Sequence, residues 1–138
     1  MTDKNVSIMN IGSMGYLPQV FKKIENEKKL SIVYLGGSIT MGCNATKTEL
    51  RYVDRSAKWW QTNFPDAEIS YFNAGIGATT SQFGVARVQE HVLDKQPDLV
   101  FVEFSVNDSS SPLFMETYES LVRRLLKAES VKAVVLIN

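Results

Sequence analysis

The chain is poor in the residues that would tie it to disulfide or metal chemistry. It has one cysteine, Cys43, and one histidine, His91. A lone thiol excludes an intrachain disulfide, and a lone imidazole leaves no nitrogen and sulfur cluster for a structural or catalytic metal. Neither a metal nor another cofactor is therefore expected. There is no excess charge of either sign, since fifteen basic residues balance fifteen acidic ones. That balance gives no general attraction to nucleic acid or to an anionic membrane. No apolar run approaches the roughly 20 residues that span a bilayer. The stretch Met1–Ser13 lacks the basic-then-apolar layout of a secretion signal, so the expected location is cytoplasmic. No linker, repeat or low-complexity tract divides the 138 residues. They read as a single domain, 1–138, with residues 1–30 as an N-terminal arm and helix.

What is present is a regular alternation. Four short runs, Ser31–Leu35, Glu68–Phe72, Asp98–Phe104 and Lys132–Ile137, are rich in β-branched and aromatic residues on both faces. That is the pattern of parallel strands covered on both sides. Between them the apolar residues recur at spacings of three and four, as amphipathic helices require. Lys47–Phe64 carries Leu50, Val53, Ala57, Trp60 and Phe64, and Thr80–Lys95 carries Val85, Val88 and Val92. Leu113–Glu129 carries Tyr118, Leu121, Val122, Leu125 and Leu126, and an opening helix spans Leu17–Lys29. A helix followed by β-α-β-α-β-α-β predicts an α/β protein, a three-layer α/β/α sandwich on a parallel, flavodoxin-like sheet. Ligands of such sheets bind outside the carboxyl ends of the strands. The loops that matter are then Gly36–Thr46, Asn73–Ser81 and Ser105–Pro112.

Each loop holds a group suited to acyl chemistry. Gly36-Gly37-Ser38-Ile39-Thr40 sets a serine in a glycine-rich turn directly after a strand, where a hydroxyl is accessible. Asn73-Ala74-Gly75-Ile76-Gly77-Ala78-Thr79 leads into a helix, whose first N–H groups are free to donate. Asn107 in Ser105-Val106-Asn107-Asp108 offers a neutral amide donor. A serine esterase needs this hydroxyl, donors aimed at the developing oxyanion, and a base.

These three blocks, in order and each after a strand, resemble the motifs of the SGNH (GDSL-like) hydrolase superfamily of esterases, lipases and carbohydrate acetylesterases. The resemblance runs from about Ile32 to the end of the chain and is nearest to the carbohydrate and polysaccharide acetylesterases. It implies that Ser38 is the nucleophile and that its N–H lies in the oxyanion hole. Ala78 would supply a second N–H, at a position where the family has glycine, and Asn107 a third donor. The implied substrate is a carbohydrate or other small ester. Gly37 stands where the family name has aspartate, which leaves the serine chemistry untouched. The family's aspartate-x-x-histidine motif is not in the sequence. His91, about eleven residues into its helix, would sit ~16 Å from the oxyanion end and is read as a non-catalytic histidine. The chain stops short of the family's fifth strand, which would expose Lys132–Ile137 as an apolar edge; the expectation is that it is a fragment, or that copies self-associate through this edge. An alternative is an inactive remnant or interaction module of the same fold.

Other patterns compete. Ser38 can be read as a turn residue. Gly75-x-Gly77 mimics a dinucleotide fingerprint, but Thr80 occupies the third glycine position. Gly37–Gly42 lacks the lysine of a phosphate-binding loop. Cys43 reads as a small hydrophobe, and Trp59 and Trp60 read as core and flank of a helix rather than as a sugar platform. Lys22–Lys29 reads as a solvated helix face. Glu103, a carboxylate in an apolar strand, needs partners, and Arg87 is the expected one.

Overall fold

The computed structural model describes residues 12–138; Met1–Ile11, part of the expected N-terminal arm, lie outside the described residues. Four parallel strands, β1 (Lys29–Gly36), β2 (Glu68–Gly75), β3 (Leu99–Glu103) and β4 (Ala133–Ile137), pair in the order β2-β1-β3-β4. That order matches the first four strands of a flavodoxin-like sheet. Helices α1 (Leu17–Glu27) and α3 (Tyr52–Asn63) cover one face, and α4 (Ser81–His91) and α5 (Pro112–Leu126) cover the other. The result is a three-layer α/β/α arrangement.

Strand alternation divides the core in two. Leu30, Ile32, Tyr34 and Leu99 point to α1 and α3, where they meet Val20, Ile24, Val53 and Trp60. Val33, Leu35, Val100 and Val102 point the other way, onto Val88, Leu121 and Leu125. Full burial of each such aliphatic side chain contributes about 1.5–3 kcal/mol. Strand register matters as much as packing. Gly36 pairs with Gly75 on one side and with Glu103 on the other. The carboxyl ends of β1, β2 and β3 therefore finish level, and their loops emerge side by side.

Several expectations need correction. The predicted helix Lys47–Phe64 is two elements, a single 3-10 turn at Thr48–Leu50 and α3, because Arg51 between them is extended (φ −63°, ψ 143°). Leu50 consequently leaves the apolar stripe and is 51% exposed. The predicted helix Thr80–Lys95 breaks at Val92, and a 3-10 turn, Leu93–Lys95, follows α4. β2 was expected to be covered on both faces, but as an outer strand it leaves Tyr71 and Phe72 exposed. Lys23 is not simply on a solvated face: its ammonium lies 3.0 Å from the buried Asp98 carboxylate, which also accepts from Ser31 N–H. Trp60 is buried and Trp59 exposed, as read from the helical stripe.

Candidate active site

The three glycine-rich or polar loops meet at the level ends of β1, β2 and β3. Ser38 opens a one-turn helix, α2 (Ser38–Met41), that lies flat over the sheet end. Two glycines make that approach feasible. A Cβ on Gly36 would collide with the Thr40 side chain and the Glu103 carbonyl, and one on Gly75 would collide with the Met41 backbone. Only at residues without a side chain can α2 sit this close to the strands.

Polar groups then fix α2 from below. Thr40 is fully buried. Its Oγ1 lies 2.8 Å from the Tyr52 hydroxyl and donates at 3.4 Å to Glu103 Oε2. Its carbonyl accepts from Asn73 Nδ2 at 2.8 Å, while Asn73 Oδ1 accepts from Gly75 N–H. Asn73 thus fastens the Ser38 turn to the end of β2. Gly37 N–H donates to the Glu103 carbonyl at 3.2 Å, fastening the same turn to β3.

The second and third loops are clamped to one another at adjacent residues. Asn107 Nδ2 donates to the Thr79 carbonyl at 2.8 Å, and Asp108 Oδ1 accepts from Ser81 N–H at 2.9 Å. Thr80, the residue before α4, makes no side-chain cap. Asp108 therefore caps α4 from a different loop, where a carboxylate also suits the helix dipole. Gly37 closes the cluster: a Cβ there would lie 3.0 Å from Asn107 Nδ2 and 3.3 Å from the Thr79 carbonyl. Ser38, Ala78 and Asn107 are thereby brought to one place. Ser38 is half-buried and Ala78 exposed. Ala78 holds φ +57°, a left-handed conformation unusual for a residue with a side chain.

The expected Glu103–Arg87 pair is not formed. Glu103 follows Phe101 in strand alternation and faces α3, whereas Arg87 lies on α4 across the sheet. Glu103, 2% exposed, is instead held by the hydroxyls of Thr40 and Ser105. Arg87 donates to the carbonyls of Ala74 (2.6 Å) and Gly36 (3.0 Å). His91, the one histidine of the sequence, ends α4, with Nδ1 3.3 Å from Arg87 Nη1. Burial pushes the Tyr52 hydroxyl up to about 12, so it stays a donor throughout the ordinary pH range. Thr40, Asn73 and Asp108 lie inside the three sequence blocks, where no role is read for their side chains, and Tyr52 lies outside them with no signal of its own. Gly36 and Gly75 are legible as glycines at strand ends.

Among the described residues, no group of three or more potential ligands could hold a metal. No helix among them is long and apolar enough to cross a membrane.

Comparison with known proteins bears on family and fold. The profile of the family described as GDSL-like Lipase/Acylhydrolase matches residues 34–137. A crystal structure of a two-domain esterase active on acetylated mannans is 48% identical and superposes with a TM-score of 0.88, covering 92% of this chain and 34% of that one. The chain thus spans about a third of the length of that relative. An SGNH-hydrolase family esterase (23% identity, TM-score 0.64) matches 78% of this chain and 58% of its own. The acetylxylan esterase Axe2 from Geobacillus stearothermophilus (24%, TM-score 0.62) has the same two coverages, and at these identities the two share the fold. No protein of curated function matches the chain.

Proposed function

The chain belongs to the GDSL-like lipase/acylhydrolase family, and from that premise we propose that it carries the nucleophile and oxyanion half of an SGNH-type ester-hydrolase site. The observation that carries the reading is the junction of the three loops, with Gly37 packed on Asn107 and Asn107 bonded to Thr79. One amide hydrogen of Asn107 fixes the side chain on the Thr79 carbonyl, and its second remains to meet a ligand. In this reading Ser38 Oγ adds to the ester carbonyl, forming a C–O bond and a tetrahedral oxyanion. Ser38 N–H, Ala78 N–H and Asn107 Nδ2 donate to that oxygen. Its collapse breaks the bond to the leaving alcohol, which takes up the serine proton, and water later releases the acid from Ser38. The methyl of Ala78, beside the acyl carbon, favours a small acyl group. The relative active on acetylated mannans makes an acetylated carbohydrate the substrate class to try first.

A second reading rests on a specific observation, the position of His91. The one imidazole of the sequence contacts Arg87 Nη1 and makes no hydrogen bond to Ser38 among the described residues, so within this chain the serine has no histidine paired with it to accept its proton. On that ground the chain alone is a non-hydrolysing module that retains the ester pocket. Turnover of p-nitrophenyl acetate by the chain and by Ser38→Ala decides between the two. A rate above the Ser38→Ala control, even one raised only by residual oxyanion stabilisation, supports hydrolysis. Equal rates remove hydrolysis by this chain and leave the module.

A further inference from the structure

Among the described residues, Arg87 is a buried cation with no structural counter-charge. It is 5% exposed, and among the described residues no carboxylate lies within ion-pair distance of it. Its guanidinium donates to two main-chain carbonyls and touches His91 Nδ1, with the Phe83 ring 5.7 Å away. Nε is buried with no hydrogen-bond partner among the described residues. An unpaired buried charge is among the most expensive features a protein can keep, and an apolar side chain would fill the same space without that cost.

The location suggests what the charge is for. Gly36 lies two residues before Ser38, and Ala74 lies four before Ala78. Their carbonyls close β1 and β2 at the end of the sheet where an oxyanion would form. The Gly36 carbonyl also accepts from Ile76 N–H, and the partial negative charge of both oxygens, this near the Ser38 turn, opposes an anion forming there. A cation bonded to both oxygens reverses the sign of that field, and in a water-poor interior the reversal acts at longer range than in solution. The guanidinium fork also fastens the roots of the first two loops to each other.

We infer that Arg87 is a positioning residue of the ester site, holding the first two loop roots together and supplying the positive field beneath the oxyanion donors. This rests on the assignment of Ser38 proposed above. Burial draws the guanidinium pKa down, but arginine keeps its proton in proteins. The charge is therefore fixed rather than switched by pH.

The test uses a tetrahedral anion that needs no turnover. Phenylboronic acid takes Ser38 Oγ as a fourth ligand: a B–O bond forms, the serine proton passes to water, and boron becomes anionic. Binding is followed by boron NMR on the chain, Ser38→Ala, Arg87→Met, Arg87→Gln and Arg87→Lys, with circular dichroism as the check of folding. The expected result is an adduct lost in Ser38→Ala, at least tenfold weaker in Arg87→Met or Arg87→Gln, and within about threefold of the parent in Arg87→Lys. Folded neutral variants that bind like the parent overturn the inference while leaving Ser38 in place. Loss of binding in Arg87→Lys as deep as in Arg87→Met overturns it too, because charge is then not what matters. Collapse of both neutral variants beside a folded Arg87→Lys reduces Arg87 to a structural clamp and also overturns it. A signal that survives Ser38→Ala, or no signal in the parent, removes the Ser38 reading and this inference with it.

Discussion

At the scale of single residues, Thr40 concentrates more of the site's connections than Ser38 does. Its hydroxyl stands between Tyr52 and Glu103, and its carbonyl holds the Asn73 amide. The Thr40 hydroxyl donates to Glu103 Oε2, so the proton between Thr40 and Tyr52 comes from Tyr52. Thr40→Val keeps the shape but leaves the Tyr52 hydroxyl and the Glu103 carboxylate each short of a buried partner. Such a loss costs about 1–3 kcal/mol. Urea unfolding should therefore show Thr40→Val clearly less stable than the parent, with Thr40→Ser, which keeps the hydroxyl, in between. A Val variant as stable as the parent would mean the hydroxyl chain is incidental. Glu103 was legible in the sequence as a carboxylate in need of partners. Its true partners were not, because which face of β3 it takes follows from strand register rather than from the order of elements.

At the scale of elements, α4 begins without a cap of its own and borrows one from the loop after β3. Asp108 accepts from Ser81 N–H through Oδ1, while its Oδ2 is buried without a hydrogen-bond partner among the described residues. Cap replacement by alanine typically costs ~1 kcal/mol. Asp108→Ala should lose about that much in chemical denaturation, and Asp108→Asn, which keeps an acceptor for Ser81, should lose less. The same comparison bears on the loops: Asp108→Ala should speed hydrogen exchange at Ser81 and at neighbouring amides of the second loop. Unchanged exchange there would show that Asn107 alone holds the clamp. The helices themselves were legible from their apolar periodicity. Their interruptions at Arg51 and Val92 were not, since neither residue is a proline or glycine and the breaks come from how the chain turns to meet the sheet.

At the scale of the whole molecule, three tyrosines, Tyr34 buried and Tyr52 and Tyr118 half-buried, tie stability to alkaline pH. Burial pushes Tyr34, Tyr52 and Tyr118 up to about 12, from an ordinary value of 10.0. A phenol whose folded pKa is raised binds its proton more tightly in the native state. Its contribution is fully present below pH 10 and is lost as pH rises through about 12. The melting temperature should hold up to about pH 10 and then fall across the next two units. Ultraviolet titration should show a group of phenols ionising only as the fold is lost. A melting temperature independent of pH between 10 and 12 would contradict this burial.

The sequence by itself determined the layers, the order of helices and strands, and the three loops that meet. Periodicity and glycine placement are local properties that need no distant contact to be read. It also located Ser38, Ala78 and Asn107 as the groups to watch, through short motifs after strands. Tertiary structure alone decided the rest. Level strand ends set Gly36 beside Gly75 and Glu103, and alternation sent Glu103 to one face while α4 kept Arg87 on the other. That separation left the arginine without a carboxylate and gave it two strand carbonyls instead, because which side of a sheet a side chain takes depends on register, and register is a property of the assembled sheet.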